Sequence, residues 1–155
     1  MKSVRRILVP IDFSKHSNQA LAWAGDIAQR YDASITVLHV YQTLELLLPD
    51  GYVLQSATSV ADLLRHVGEG LDAAKDRLVK SAPGIPVATE LRHGAAFVEI
   101  VRLAREGAYD LIVIGTHGRT GLQHALLGSV AEKVVRKAPC PVLVARMADQ
   151  TFTPP

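Results

Sequence analysis

The sequence contains a single cysteine, Cys140, in 155 residues. One cysteine excludes an internal disulfide and a metal site built from several cysteines. Cys140 lies between two prolines in an apolar run that is typical of a strand. We therefore expect a protein of a reducing compartment, the cytoplasm.

Long apolar segments and an excess of charge are also absent. No run approaches the ~20 apolar residues that a membrane helix requires. Near the start, Pro10 and Asp12 interrupt a short apolar run well before it reaches the length of a secretion signal. Lysine and arginine total 17 against 15 aspartates and glutamates, so no broad electrostatic field attracts nucleic acid or anionic lipid. We expect a soluble protein that binds neither nucleic acid nor membrane.

The sequence does not predict a metal centre. Its six histidines fall on different predicted elements and show no ligand spacing: His16, His39, His66, His93, His117 and His124. Internal repeats and low-complexity tracts are missing as well. Hydrophobic residues make up 48% of the chain, which is enough for one continuous core. We expect one domain over residues 1–147 and a frayed tail over 148–155.

Short apolar runs alternate with segments of helical period along the chain. The predicted strands cover residues 7–11, 35–40, 87–92, 111–114 and 140–145. The predicted helices begin after Ser14, near Ser59, after Gly94 and at Ser129. They end near Tyr31, near Ser81, before the fourth strand and at Lys137. In the first helix an apolar stripe runs from Ala20 to Tyr31, with Trp23 at its margin.

Polar residues indicate where these helices start. The expected caps are Asp12 or Ser14 for the first helix, Ser59 with Asp62 for the second, and a capping box of Ser129 with Glu132 for the last. Between the second strand and the second helix, residues 41–59 contain a turn signal and no sustained period. A loop of this length is either a lid or disordered.

Regular alternation of strand and helix predicts parallel strands with right-handed crossovers. The two most apolar strands, 7–11 and 111–114, belong in the middle of the sheet. The fold class is therefore α/β, with a five-stranded parallel sheet of order 3-2-1-4-5 and helices on both faces. In that order a crevice opens between strands one and four, where Asp12 and Gly115 end their strands. Open α/β sheets bind ligands in this crevice.

The segment from Gly115 to Ser129 follows the fourth strand and is rich in glycine. Glycine permits close approach of backbone, and free amides at a helix N-terminus favour an anion. Taken alone, Gly115, Gly118 and Gly128 fit turn-making as well as phosphate binding, but their position at the predicted crevice favours phosphate. No lysine follows Gly128, which excludes a P-loop. The first strand also lacks the G-x-G-x-x-G turn of a Rossmann dinucleotide site.

The same residues form a recognisable signature: Gly115, Gly118, Gly128 and Ser129 are spaced as G-x-x-G, nine residues, then G-S. This spacing resembles the ATP-binding signature of the universal stress protein family. The segments ILVPIDFS (7–14) and CPVLV (140–144) resemble the first and last strands of that family. The resemblance covers nearly the whole chain except residues 41–59 and the tail. It implies a Rossmann-like, adenine nucleotide alpha hydrolase-like domain that binds ATP, ADP or AMP.

The resemblance also implies a role for each matching position. Asp12 would bind the ribose or the adenine edge, with Pro10 and Ile11 beside it, and the backbone of Val40 would meet adenine. The phosphates would be surrounded, mainly by backbone amides, by Gly115, His117, Gly118, Arg119, Gly128, Ser129 and Val130. Arg119 fits a solvated loop residue equally well. Mg²⁺ would accompany a triphosphate, held by phosphate oxygens and water.

The predicted strand order leaves the last strand at an edge of the sheet. Val142, Leu143 and Val144 make this edge apolar, without the lysines that normally protect an exposed edge. The resemblance implies a homodimer that pairs these strands from two copies. A carboxyl-terminal tail folded over the edge is the alternative.

The glycine-rich segment from Gly115 to Ser129 contains groups that can bind a ligand but no evident nucleophile or general base. This favours a nucleotide-binding regulatory protein of the stress response, with little or no turnover. A slow ATPase or self-phosphorylating protein is a second hypothesis, with Thr116, Thr120 or Ser129 as the acceptor. A dimeric interaction protein without nucleotide is a third, which the complete signature disfavours.

Overall fold

The computed structural model describes residues 3–42, 57–116 and 127–146. Within these ranges five strands alternate with four helices. In chain order they are β1 (Arg6–Pro10), α1 (Lys15–Tyr31), β2 (Ser34–Tyr41), α2 (Ala57–Ser81), β3 (Val87–His93), α3 (Ala96–Glu106), β4 (Leu111–Gly115), α4 (Ser129–Lys137) and β5 (Val142–Ala145). Most of the predicted loop 41–59 and the predicted tail lie outside the described residues.

The strands form one parallel sheet in the order β3-β2-β1-β4-β5. Strand β1 is central, and its Leu8 is in register with Thr36 of β2 and Ile112 of β4. The prediction of strand order and direction is confirmed. It succeeded because β1 and β4 are covered on both faces and are therefore apolar at nearly every position.

The helices cover both faces of the sheet, as predicted. Successive side chains of a strand point to opposite faces. Ile7 and Val9 therefore pack in one core with α1 and α2, whereas Leu8 packs in a second core with α3 and α4. All three side chains are fully buried. No helix among the described residues has the length and apolar character needed to cross a bilayer.

Two predicted boundaries are wrong. Helix α2 begins at Ala57, so Ser59 lies inside the helix and not at its start. Strand β5 begins at Val142, two residues after Cys140. Pro141 has no N–H to donate to the sheet, although its carbonyl accepts a hydrogen bond of 3.0 Å from the amide of Ile112. Ladder pairing therefore starts only after this proline.

The apolar stripe of α1 is shorter than predicted. Ala20, Leu21, Ala24 and Ala28 are buried, but the side chain of Tyr31 is 56% exposed. The helix ends at this residue because Asp32 adopts a left-handed conformation, with φ of 53°. The chain then turns, and Ala33 occupies the buried position at the start of β2. Trp23 is 48% exposed, at the margin of the stripe.

Candidate functional site

The carboxyl ends of β1 and β4 lie side by side in the centre of the sheet, where the chain changes its winding direction. Asp12 follows β1, and Thr116 follows Gly115, the last residue of β4. The carbonyl of Thr116 accepts a hydrogen bond of 2.7 Å from the amide of Gly128. The start of α4 is thereby held against the end of β4. The structure thus brings together the two ends of the glycine-rich segment that the sequence singled out.

Asp12 and Ser14 share the turn between β1 and α1. The Ser14 hydroxyl accepts a hydrogen bond of 3.2 Å from the amide of Ser17, so Ser14 caps the helix. Oδ1 of Asp12 accepts a hydrogen bond of 3.0 Å from the amide of Ser14. Among the described residues Oδ2 of Asp12 has no partner, and the side chain is partly exposed. Oδ2 is thus the carboxylate oxygen of Asp12 that the turn between β1 and α1 does not use.

Phe13, the residue between them, has a conformation that sequence analysis missed. Its φ is 65°, a left-handed value that is rare for a bulky side chain. The ring lies 4.5 Å from the ring of His39 and against Gly70 of α2, where a Cβ atom would come within 2.7 Å of it. Nδ1 of His39 lies 2.8 Å from the carbonyl oxygen of Ile11. Packing on β2 and α2 thus holds the backbone beside Asp12 in a strained state.

Gly115 is a glycine because α1 packs against it. A Cβ atom at this position would lie 2.8 Å from both the carbonyl carbon and the carbonyl oxygen of His16. The φ of Gly115 is not among the positive values, so backbone conformation does not demand glycine here. The first turn of α1 can therefore approach β4 only because this side chain is missing. Phosphate contact is not needed to explain the residue.

Thr116 is buried, with 1% of its surface exposed. Its hydroxyl lies 3.2 Å from Nδ1 of His16, and its amide donates a hydrogen bond of 3.2 Å to the carbonyl of Ala145 at the end of β5. Burial of this hydroxyl against a helix argues against the hypothesis that Thr116 is a phosphate acceptor. Sequence analysis had no signal for the partnership with His16.

The predicted capping box at Ser129 is wrong. Gly128 is the N-cap of α4, and no side chain bonds to the cap. The carbonyl of Gly128 accepts from the amide of Glu132 at 2.9 Å, while Glu132 pairs with Arg136 at 2.9 Å on the outer face. Ser129 is therefore the first helical residue, and the cap lies one residue earlier than the capping box predicts. Its hydroxyl is not used as a cap.

This shift decides which amides of α4 are available to an anion. The amides of the first helical residues precede any partner within the helix. Ser129 and Val130 are exposed, and their amides lie at the positive end of the helix dipole. The amide of Gly128 is used by the carbonyl of Thr116. Ser129 and Val130 are therefore better placed than Gly128 to donate an amide to phosphate, and the predicted contact of Gly128 with phosphate stays a prediction.

The remaining predicted residues lie as follows. Pro10 and Ile11 are buried at the end of β1, where the amide of Ile11 donates to the carbonyl of Leu38 at 2.8 Å. Val40 is half-buried near the end of β2. His117, Gly118 and Arg119 lie outside the described residues, as does Thr120. Their predicted contacts with phosphate stay predictions.

Arg92 is a cation near the carboxyl end of β3, but carboxylates already neutralise its charge. It pairs with Glu90 at 3.2 Å, with Glu106 at 2.9 Å and with Glu99 at 3.8 Å. Burial acts to lower the pKa of Arg92, but its hydrogen bonds to Glu106 and Glu90 outweigh burial and leave the pKa raised. With three carboxylates around it, this guanidinium is not free to bind a phosphate.

A doubly wound parallel sheet with a helix N-terminus at its switch point defines the class of Rossmann-like α/β proteins. The sequence profile described as the universal stress protein family matches residues 3–146. The chain belongs to the universal stress protein family. Universal stress protein MJ0531 of Methanocaldococcus jannaschii is 38% identical over 146 residues, which cover 92% of this chain and 82% of that protein.

Solved structures show the same architecture. The structure of hypothetical protein MJ0577, from the same organism, gives a TM-score of 0.82 at 28% identity and covers 96% of this chain and 100% of its own. A universal stress protein in complex with cAMP gives a TM-score of 0.66 at 27% identity, with 93% and 98% of the two chains covered. The latter is a relative with an adenine nucleotide bound.

Proposed function

We propose that this chain binds an adenine nucleotide, with ATP as the physiological ligand, at the crevice between β1 and β4. The observation that carries the proposal is the N-terminus of α4, with the amides of Ser129 and Val130, held against the end of β4 at the switch point, while Asp12 follows the adjacent strand β1. The amides suit a phosphate and the carboxylate suits a ribose hydroxyl. The related stress protein crystallised with cAMP supports the adenine class of ligand.

Each part of the ligand has a counterpart among the residues. Asp12 accepts a hydrogen bond from the ribose, and the backbone of Val40, with Pro10 and Ile11 beside it, meets the adenine. Ser129 and Val130 bind phosphate oxygens together with His117, Gly118 and Arg119. Gly128 has no Cβ atom, which lets the backbone approach a phosphate closely, while Gly115 lets α1 pack against the end of β4.

Mg²⁺ fits this site as a companion of a triphosphate. Mg²⁺ prefers oxygen ligands, keeps several of its waters and is commonly held through substrate phosphates. Asp12 is the described carboxylate residue that follows β1 at the crevice, and its Oδ1 already accepts a hydrogen bond from the amide of Ser14. Phosphate oxygens and water therefore supply most of the ligands.

Calorimetry with Mg-ATP, ADP, AMP and cAMP tests the proposal. We expect Gly128→Val to weaken ATP binding by at least tenfold. The backbone of Gly128, with φ of −67° and ψ of 152°, is allowed for valine, so the branched side chain obstructs the amides without straining the chain. Gly68→Val on α2 is the matched control, because a Cβ there meets nothing within 4 Å. The absence of heat and of thermal stabilisation with all four nucleotides would refute the proposal.

The role of Asp12 has a test of its own. Asp12→Asn keeps an oxygen for the amide of Ser14 but replaces the ribose acceptor by a donor. If Asp12 binds the 2′-hydroxyl, the wild-type protein prefers ATP to 2′-deoxy-ATP and the variant loses this preference. An unchanged preference would move Asp12 to the 3′-hydroxyl or the adenine edge.

We further propose that the protein is a cytoplasmic, regulatory homodimer with little or no turnover. Strand β5 has β4 as its neighbour on one side, and its Val142, Leu143 and Val144 are half-buried. Pairing with a second copy would cover this apolar edge. Light scattering at micromolar concentration tests the dimer, and a monomer there would refute it.

Slow phosphoryl transfer remains a second candidate, because the exposed Ser129 has no cap hydrogen bond. Its hydroxyl lies at the end of α4 to which the phosphates are assigned. Incubation with Mg-ATP followed by mass spectrometry tests this candidate. A phosphopeptide that contains Ser129, or the release of ADP, would support it, and neither product would leave a binding protein without turnover.

A further inference from the structure

Thr116 connects four elements of the fold through short contacts. Its amide bonds to the carbonyl of Ala145 in β5, and its carbonyl accepts from the amide of Gly128 at the start of α4. Its hydroxyl contacts Nδ1 of His16 in the first turn of α1. The residue itself continues β4. Both its backbone groups and its hydroxyl are thus committed to contacts of 2.7 to 3.2 Å.

His16 is fixed against the same point by a second, independent contact. Its backbone carbonyl lies only 2.8 Å from the place that a Cβ atom of Gly115 would take, so helix and strand meet without an intervening side chain. A helix packed this closely leaves the imidazole of His16 little freedom to leave Thr116. The pair is also separated by 100 positions in sequence, so the contact depends on the tertiary fold.

The position of Thr116 sets the position of the phosphate donors. The carbonyl of Thr116 holds Gly128, and Gly128 is the cap after which Ser129 and Val130 present their amides. A rotation or shift of Thr116 therefore displaces these amides. The nucleoside side of the crevice is held by other contacts, since Asp12 bonds to Ser14 and Ile11 bonds to Leu38.

We propose that His16 and Thr116 are positioning residues of the nucleotide site. They hold Gly128 so that the amides of Ser129 and Val130 lie where the phosphates bind. This inference rests on the proposed function. The pair touches no ligand atom itself. It acts by fixing Gly128, and therefore it supports binding of the phosphates and not of the nucleoside.

Thr116→Val tests the proposal, because valine keeps the shape of threonine and removes the hydroxyl. We expect ATP to bind up to about tenfold more weakly, the limit reached if the free energy of one hydrogen bond is lost from the bound state through displacement of the phosphate donors. Adenosine, titrated by nuclear magnetic resonance, is expected to bind as it does to the wild type. Thr116→Ser restores the hydroxyl and should restore ATP affinity.

A matched control removes a similar hydroxyl elsewhere. The Thr36 hydroxyl accepts a hydrogen bond of 2.8 Å from Tyr109 near the amino end of β2, away from the crevice. Thr36→Val should therefore leave the affinities for ATP and adenosine unchanged. If Thr116→Val does not fold, the comparison of His16→Leu with His16→Asn replaces it, because asparagine can bond to Thr116 and leucine cannot.

The outcomes separate this inference from the proposed function. If the wild-type protein binds no nucleotide, both fall together. If it binds ATP but Thr116→Val weakens ATP and adenosine equally, or neither, the positioning role is refuted and the nucleotide site stands. Selective loss of ATP affinity that serine rescues supports the role.

Discussion

Replacement of Gly115 by alanine tests the structural account of the glycine-rich segment. The new Cβ would lie 2.8 Å from the carbonyl carbon and oxygen of His16 and 3.0 Å from its Cβ. The obstructing atoms belong mainly to backbone, which cannot rotate away as a side chain does, so α1 must move relative to β4. Overpacking of this kind costs about 1–3 kcal/mol of unfolding free energy. For a chain of this length, such a loss lowers Tm by about 2–12 °C.

Thermal and urea denaturation of Gly115→Ala, without nucleotide, measures this cost. Gly68→Ala is the matched control, because its Cβ enters open space on α2 and alanine is the better helix former. It should raise the stability by about 0.5–1 kcal/mol. If Gly115→Ala unfolds at the wild-type temperature, close packing against His16 does not explain the glycine, and its role would have to come from the ligand.

Two further predictions concern other contacts. Gly70→Ala should be at least ~1 kcal/mol less stable than Gly68→Ala in urea denaturation, because its Cβ would lie 2.7 Å from the ring of Phe13 and would have to displace that ring. Equal stability of the two variants would show that the ring moves freely. For Cys140, burial and then the negative charge of Asp110 raise the pKa of the thiol. Iodoacetamide should therefore react more slowly with the native than with the unfolded protein at pH 8. Because the pKa of Cys140 is higher in the folded than in the unfolded protein, its contribution to stability is present below the pKa of an ordinary thiol and is lost as the pH rises through the pKa of the folded state. Part of the loss of stability at alkaline pH should therefore vanish in Cys140→Ala. Equal alkylation rates would contradict the shift.

Much of the fold followed from the sequence because its signals are local. The run Leu111–Ile114 is apolar at every position, which marks a strand covered on both faces. Helix α4 occupies Ser129–Lys137, the range that its pattern predicts. The cap of that helix was misassigned because serine followed by glutamate three residues later fits a capping box. The hydrogen bond between Gly128 and Thr116, which is invisible in the pattern, moved the cap by one residue.

The candidate site was predictable in its place but not in its construction. Asp12 and Gly115 end the strands that flank the switch point, and the switch point follows from strand order alone. The left-handed φ of Phe13 was not predictable, because a phenylalanine carries no preference for that conformation. It depends on the surfaces of β2 and α2 that receive the ring.

By itself the sequence determined the strand order, the family and the location of the glycine-rich segment, because apolar period and motif spacing are properties of neighbouring residues. Only the tertiary structure decided what the glycines do. It shows that Gly115 lets α1 pack against β4, that the amide of Gly128 bonds to Thr116, and that α4 begins with the amides of Ser129 and Val130. The physical reason is distance along the chain: His16 and Thr116 are 100 positions apart, and only packing brings such groups into contact.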